Sequence, residues 1–158
     1  MSAKGITISE ECHIVNALAP IDIGGAAKTS DYWSMANYQH ATIIVTCGAV
    51  TNAATITVEE SDDLSGSNTA AIDFKYAQET TAAGDTLGAL AWVGATTGIS
   101  TGTNNGTIHV IEIDASQLSD GYPCLVVKTT DAGANLISVV AILSGARYAE
   151  DVTPTAIA

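Results

Sequence analysis

The side chains of this sequence that most readily do acid–base or covalent chemistry are three histidines and three cysteines, with serines and carboxylates as their usual partners. A histidine beside a carboxylate binds metal or serves as a base, and a Cys/His or Ser/His pair makes a nucleophile, but only where the groups converge. His13, His40 and His109 stand far apart, with no spacing that argues convergence. They read as structural or hydrogen-bonding residues. Ser34 and Ser144 lack the Gly-x-Ser-x-Gly turn that exposes a serine nucleophile.

Cys12, Cys47 and Cys124 show no Cys-x-x-Cys spacing, and an odd number cannot all pair within one chain. They read as reduced, mostly buried thiols packing like small apolar groups. The sharper alternative is that Cys12 bridges subunits by a disulfide in an oxidising exterior. The acidic run Glu59-Glu60-Ser61-Asp62-Asp63 lacks the spacing and turning glycine of a calcium loop, so it reads as a solvated hairpin tip, with weak divalent-ion binding as the alternative. No glycine-rich stretch sits between a strand and a helix as a phosphate cradle requires. Asn105-Gly106-Thr107 has the form of a glycosylation sequon but reads better as a turn into the next strand. No catalytic, cofactor or metal site emerges, so the chain is expected not to be an enzyme.

The elements that would position these residues are strands. Thr42–Cys47 is β-branched and apolar on both faces, as a central strand should be. In Thr55–Glu59 the alternation points Ile56 and Val58 inward; in Ala71–Ala77 it puts Ile72, Phe74 and Tyr76 on one face and Asp73 and Lys75 on the other. Leu87–Val93, Thr107–Asp114, Tyr122–Thr129 and Leu136–Leu143 complete the set. The inward phase of Thr107–Asp114 shifts between Val110 and Ile111, which suggests a bulge or cover on both sides. Pro123 cannot donate to a ladder and belongs at a strand start or an edge. Asp114–Leu118 reads as a helical turn. The expected fold is all-β, a β-sandwich or barrel of about seven to eight mainly antiparallel strands with an irregular N-terminal arm and C-terminal tail. Residues 1–40 form the arm and connecting loop, in which Cys12–Leu18 can be read as a short strand before Pro20 and Gly24-Gly25 interrupt it, 41–147 the core and 148–158 the tail of one domain.

Charge narrows the function classes. Five Lys plus Arg against 17 Asp plus Glu give a net charge of −12, and the five cations are scattered. Counterion release from nucleic acid needs several cations on one face, so direct nucleic-acid binding is not expected. Anionic lipid headgroups repel such a surface, so membrane attachment is not expected either. No apolar run approaches a membrane-spanning length, and the N-terminus lacks the apolar core of a signal peptide, which implies synthesis in a cytoplasm. Charged residues make up only 14% of the chain while mean hydropathy is +0.27, a balance that suits faces covered by neighbours.

Two stretches carry a resemblance: VNALAPIDIGGAAKTSDYWSMANYQHATIIV from Val15 to Val45, and VVAILSGARYA from Val139 to Ala149. Within them, Ala19-Pro20-Ile21-Asp22, the Asn37-Tyr38-x-His40 approach to the first strong strand, and Ser144-Gly145-Ala146-Arg147-Tyr148 resemble small virion proteins of tailed bacteriophages. These are regarded as head decoration or cement proteins. The resemblance runs from about residue 14 to 157 and implies a β-rich protein made in the bacterial host cytoplasm. It would sit on the outer capsid surface, bind the major capsid protein and self-associate, commonly as trimers. Subunit or capsid contacts are then expected from arm and tail residues that have no place in the strand pattern. In the arm these are Ile6, Ile8, Cys12, Ile14, Ile21 and Ile23; in the tail they are Arg147, Tyr148, Val152 and Ile157. A phage tail or neck component, with a long hairpin in the Gly84–Ser100 region, is one alternative, and a carbohydrate-binding β-domain is the other.

Overall fold

A computed structural model describes residues 5–82, 84–147 and 155–157. One helical turn, α1 (Ile8–Glu11), precedes β1 (His13–Asp22), β2 (Lys28–Thr29), β3 (Trp33–Ser34) and β4 (Tyr38–Val50). Then come β5 (Thr55–Ser61), β6 (Thr69–Ala71), β7 (Phe74–Glu79), β8 (Ala91–Val93) and β9 (Ile99–Ser100). The chain continues with β10 (Thr107–Asp114), a 3-10 turn at Ala115–Gln117, β11 (Cys124–Thr129) and β12 (Asn135–Ala146). The fold is an all-β sandwich. One six-stranded sheet has the order β1-β12-β4-β10-β7-β8; the other runs β2-β11-β5-β6, with β3 on β11 and β9 on β5. Every described pairing is antiparallel, and the sheets do not close into a barrel.

Alternation builds the core. In β4, Ala41, Ile43, Val45 and Cys47 are buried while Thr42, Ile44 and Thr46 face out half-covered. Ile56, Val58 and Phe74 point inward as their spacing requires, and each is fully buried. Pro123 stands immediately before β11, where its missing N–H leaves no gap in the ladder. Gly98 enters β9 at φ +61 with the Ile56 carbonyl 2.4 Å from where a Cβ would lie, so only glycine fits there.

Three expectations are corrected. Residues 5–40 are not an arm laid over a finished core: β1 is a full edge strand whose Val15 and Ala17 join the core, and Trp33 in β3 is completely buried. The short strand readable at Cys12–Leu18 is the first part of β1; Pro20 and register shifts around Leu18 break the two-residue period, which hides its continuation to Asp22. Secondly, β10 has no bulge; it pairs in unbroken register with both β4 and β7. Its apolar residues on both faces arise because the outer face of this sheet is itself partly apolar. Thirdly, only Ala91–Val93 of the expected strand at 87–93 pairs, because residues 84–90 are held as a loop by Glu79. That carboxylate accepts the N–H groups of Thr81 and Thr86, and Gly88 N–H donates to the Gln78 carbonyl.

Candidate functional site

The densest group of functional side chains lies on the outer face of the six-stranded sheet, at one end of β4 and β10. Cross-strand register aligns Ser144, His40 and Asp114 in one row, with Thr42 and Glu112 in the next. His40 Nδ1 lies 2.8 Å from Asp114 Oδ1, and Nε2 lies 2.7 Å from Glu112 Oε2. Thr42 Oγ1 donates to that same Glu112 oxygen at 2.8 Å. Carboxylates only accept, so both ring nitrogens must carry protons, and the geometry selects the imidazolium. Burial by itself pulls the His40 pKa down, but hydrogen bonds and charge from Asp114 and Glu112 outweigh it and hold it above the ordinary value.

That arrangement limits the chemistry. A Ser–His–Asp relay needs one ring nitrogen free to take the serine proton. Here Ser144 stands in the correct row, yet both nitrogens of His40 are engaged by carboxylates. The group is a charge clamp between β4 and β10. Beside it lies an open groove of about 540 Å³ bordered by Gln39, Ser116 and Arg147. Arg147 is exposed, and its Nε donates to the Tyr38 carbonyl at 3.2 Å.

The other candidates disperse. His109 is fully buried on the inner face; its Nε2 sits 3.4 Å from Thr107 Oγ1, while Nδ1 has no hydrogen-bond partner, and burial pushes its pKa down. His13 stacks on Tyr38 with ring centroids 5.9 Å apart. Cys47 and Cys124 are buried and Cys12 half-buried. Burial raises all three thiol pKa values, with Glu11 adding to it at Cys12. The acidic run does not converge on a cation site. Glu59 pairs with Lys128, whose ammonium outweighs burial and keeps the carboxyl below its ordinary pKa. Glu60 is buried and accepts the Ser119 N–H at 2.8 Å. Asp63 turns back on its own loop, where hydrogen bonds from Ser67 and Ser65 lower its pKa to about 2. Among the described residues no group of His, Cys, Asp and Glu is arranged to hold a metal ion. Asn105 and Gly106 form the expected turn, with Gly106 at φ +68 and Asn105 Oδ1 accepting the Val50 N–H.

The expected contact residues divide sharply. Ile6 is 77% exposed, and Ile8, Ile14 and Ile21 are also exposed. Ile23 is completely buried, so it is a core residue and not a contact; the turn after β1 drives it between the sheets. Ile157 packs against the core, anchored by the neighbouring Ala156, whose carbonyl accepts the Ser34 N–H at 2.8 Å. Tyr148 and Val152 lie outside the described residues.

Sequence reasoning missed a second set of exposed apolar side chains: Leu87, Leu90 and Trp92 at the β8 edge, and Leu136 on β12. The signal was the apolar run from Leu87 to Val93, which reads equally as a buried strand. Across the outer face one row runs Ile14, Ile142, Thr42, Glu112, Lys75 and Trp92 from edge to edge. The next row, Val140, Ile44, Val110 and Ala77, is wholly apolar. Lys75 Nζ lies 5.1 Å above the Trp92 ring, a cation–π contact on the surface.

No protein-family model matches the chain, and no curated protein matches it. Among solved structures its fold is similar to that of the SPBc2 prophage-derived protein YomS, with a TM-score of 0.52 at 12% identity. The match covers 90% of this chain and 100% of that one, so the likeness is of the whole sandwich.

Proposed function

We propose that this chain is a non-enzymatic structural protein of a tailed-phage virion. In this reading it binds the major capsid protein on the outer surface of the head, associates with copies of itself as a trimer, and stabilises the shell by bridging capsomers. The observation that carries the reading is the outer face of the six-stranded sheet, where Ile14, Leu136 and Trp92 stand exposed and Ile44, Val110, Val140 and Ile142 are only half-covered. Burying such side chains is worth about 25 cal/mol per Å² of apolar surface, and a monomer forgoes that gain. The resemblance of Val15–Val45 and Val139–Ala149 to decoration proteins supports it, as does the whole-sandwich likeness to a prophage-derived protein.

The alternatives draw less support. A tail-tube subunit needs a long hairpin around residues 84–100, whereas β8 and β9 in that region belong to different sheets. A carbohydrate platform needs several coplanar aromatics, whereas Trp92 stands at the surface beside Lys75 and Trp33 is buried. The test is to mix the purified chain with expanded heads lacking it, sediment them, and measure occupancy and resistance to heat. Saturable binding with a raised disruption temperature is expected; absence of binding to expanded heads refutes the reading.

A further inference from the structure

The His40 clamp ties one titratable ring to two carboxylates, and the two contacts are not equivalent. The protonated ring donates from Nδ1 to Asp114 Oδ1 at 2.8 Å and from Nε2 to Glu112 Oε2 at 2.7 Å. A neutral imidazole has one N–H and one lone pair, so loss of the ring proton leaves one carboxylate facing a lone pair. Two acceptors at that distance repel, and one contact must open.

The surroundings decide which. Glu112 Oε2 also accepts the Thr42 hydroxyl at 2.8 Å, which keeps that oxygen in place when the ring titrates. Glu112 is flanked by paired strands on both sides, opposite Thr42 on β4 and Lys75 on β7. Asp114 is the last residue of β10, pairs with β4 alone and leads into the 3-10 turn, so its side chain has room to turn outward. The Glu112 side chain is 29% exposed against 60% for Asp114, so water replaces a lost donor far more readily at Asp114.

The other charges around the ring are few. Lys75 stands across from Glu112 with its ammonium over the Trp92 ring. On the other side of β4, β12 carries no charged residue and places Ser144 beside His40. The turn Ala115–Gln117 has none either, and His13 stacks on Tyr38 at the start of β4. Arg147 borders the same groove as His40 and Asp114. With the ring protonated, His40 and Arg147 balance Asp114 and Glu112; without that proton one carboxylate is in excess, and Arg147 is the cation left to receive it.

We propose that His40 is a pH-operated latch: when the ring loses its proton, Nε2–H stays on Glu112 and the Asp114 carboxylate swings off Nδ1 into the groove that Arg147 borders. The latch is shut in acid and opens as pH rises through the midpoint of the ring. Ala115, which follows Asp114, and Arg147 also border a second groove of about 300 Å³ beside Met35, Leu118 and Tyr122. The latch thus sits at the wall between two grooves, and its opening turns the first from balanced to anionic.

The test is NMR on the isotope-labelled full chain, followed from about pH 5 to about pH 9. Above the His40 midpoint the ring nitrogen shifts are expected to report the Nε2–H tautomer. The Asp114 carboxyl carbon and the Arg147 guanidinium signals should move with that same midpoint. In Glu112→Gln the acceptor at Nε2 loses its charge, so the neutral ring should keep its proton at Nδ1 on Asp114 and the tautomer should reverse. Asp114→Asn should retain Nε2–H. An Nδ1–H tautomer in the unaltered chain overturns the latch, as does an Asp114 carboxyl signal that stays constant through the His40 midpoint. Arg147 signals that stay constant while Asp114 moves overturn the swing into the groove. A Glu112→Gln chain with the tautomer of the unaltered one overturns the choice between carboxylates. The tautomer and carboxyl readings need no variant, so they decide for or against the latch even where Glu112→Gln fails to fold.

Discussion

Replacing His109 with Leu should flatten the acid side of the stability profile. His109 has no exposed surface, and its Nδ1 lacks a partner, so its protonation would place an unpaired cation between the sheets. Burial therefore holds its folded pKa below the ordinary 6.5. As pH falls through about 6.5 the unfolded chain takes up this proton and the folded chain does not, so stability is lost. The loss continues until pH reaches the folded pKa. One proton is worth about 1.4 kcal/mol per pH unit, so from pH 6.5 to 5.0 His109 removes about 2 kcal/mol, an upper bound reached if it stays neutral throughout. Leucine is close in volume and needs no partner for Nδ1, whose unpaired state costs roughly 1–3 kcal/mol, so His109→Leu should be at least as stable at pH 7. Urea unfolding followed by tryptophan fluorescence reads both quantities, since Trp33 is buried. The pH 7-to-5 loss should be smaller in the variant, by at most about 2 kcal/mol; parallel profiles for the two proteins refute the reasoning. His40 titrates in both proteins and cancels in the comparison.

The remaining predictions concern the clamp and a turn. The His40 folded pKa lies above its unfolded value, so the clamp's stabilisation is complete below about 6.5 and is lost as pH rises through the folded pKa. Proton NMR should give a His40 midpoint above 6.5 that falls in Glu112→Gln; a midpoint unmoved by that change would rule out the carboxylate cause. Gly98→Ala should destabilise by at least about 2 kcal/mol, through left-handed strain and the clash with the Ile56 carbonyl. An unfolding midpoint equal to that of the unaltered chain would contradict it.

How much of this was legible in the sequence depended on whether strand periodicity survived. It survived in Thr55–Glu59, where Ile56 and Val58 alternate with polar residues, and in Phe74–Ala77, where Phe74 points in and Lys75 out; the single strand expected at Ala71–Ala77 is instead split, because the chain crosses from one sheet to the other between Ala71 and Phe74. In β1 it showed only as far as Leu18, because Pro20 and the register shifts reset the phase within ten residues and hid the continuation to Asp22. The short strands β2, β3 and β9 are two residues each, too short for any period, and exist because their neighbours pair with them. The His40 clamp was illegible for another reason: Glu112 and Asp114 lie more than 70 residues away in sequence, and only the β4–β10 register brings them to the ring.

The misread phase of β10 and the proposed interaction face are one physical fact. A strand solvated on one side shows clean alternation, because polar residues fill the face that meets water, whereas a face that meets a partner gains from apolar residues. In β10, Ile108 and Val110 face outward from between Thr107, His109 and Ile111, which face inward; the sequence therefore looks apolar throughout and its phase blurs. In β4 and β12 the outward Ile44, Val140 and Ile142 blur it in the same way. A bulge would have explained one strand. Three adjacent strands with the same anomaly and unbroken pairing between β4 and β10 instead describe a surface, and its apolar rows lead to the exposed side chains at both edges. Strands that read as buried on both faces, in a sheet covered on one, thus mark in the sequence the face that the proposed function assigns to a partner.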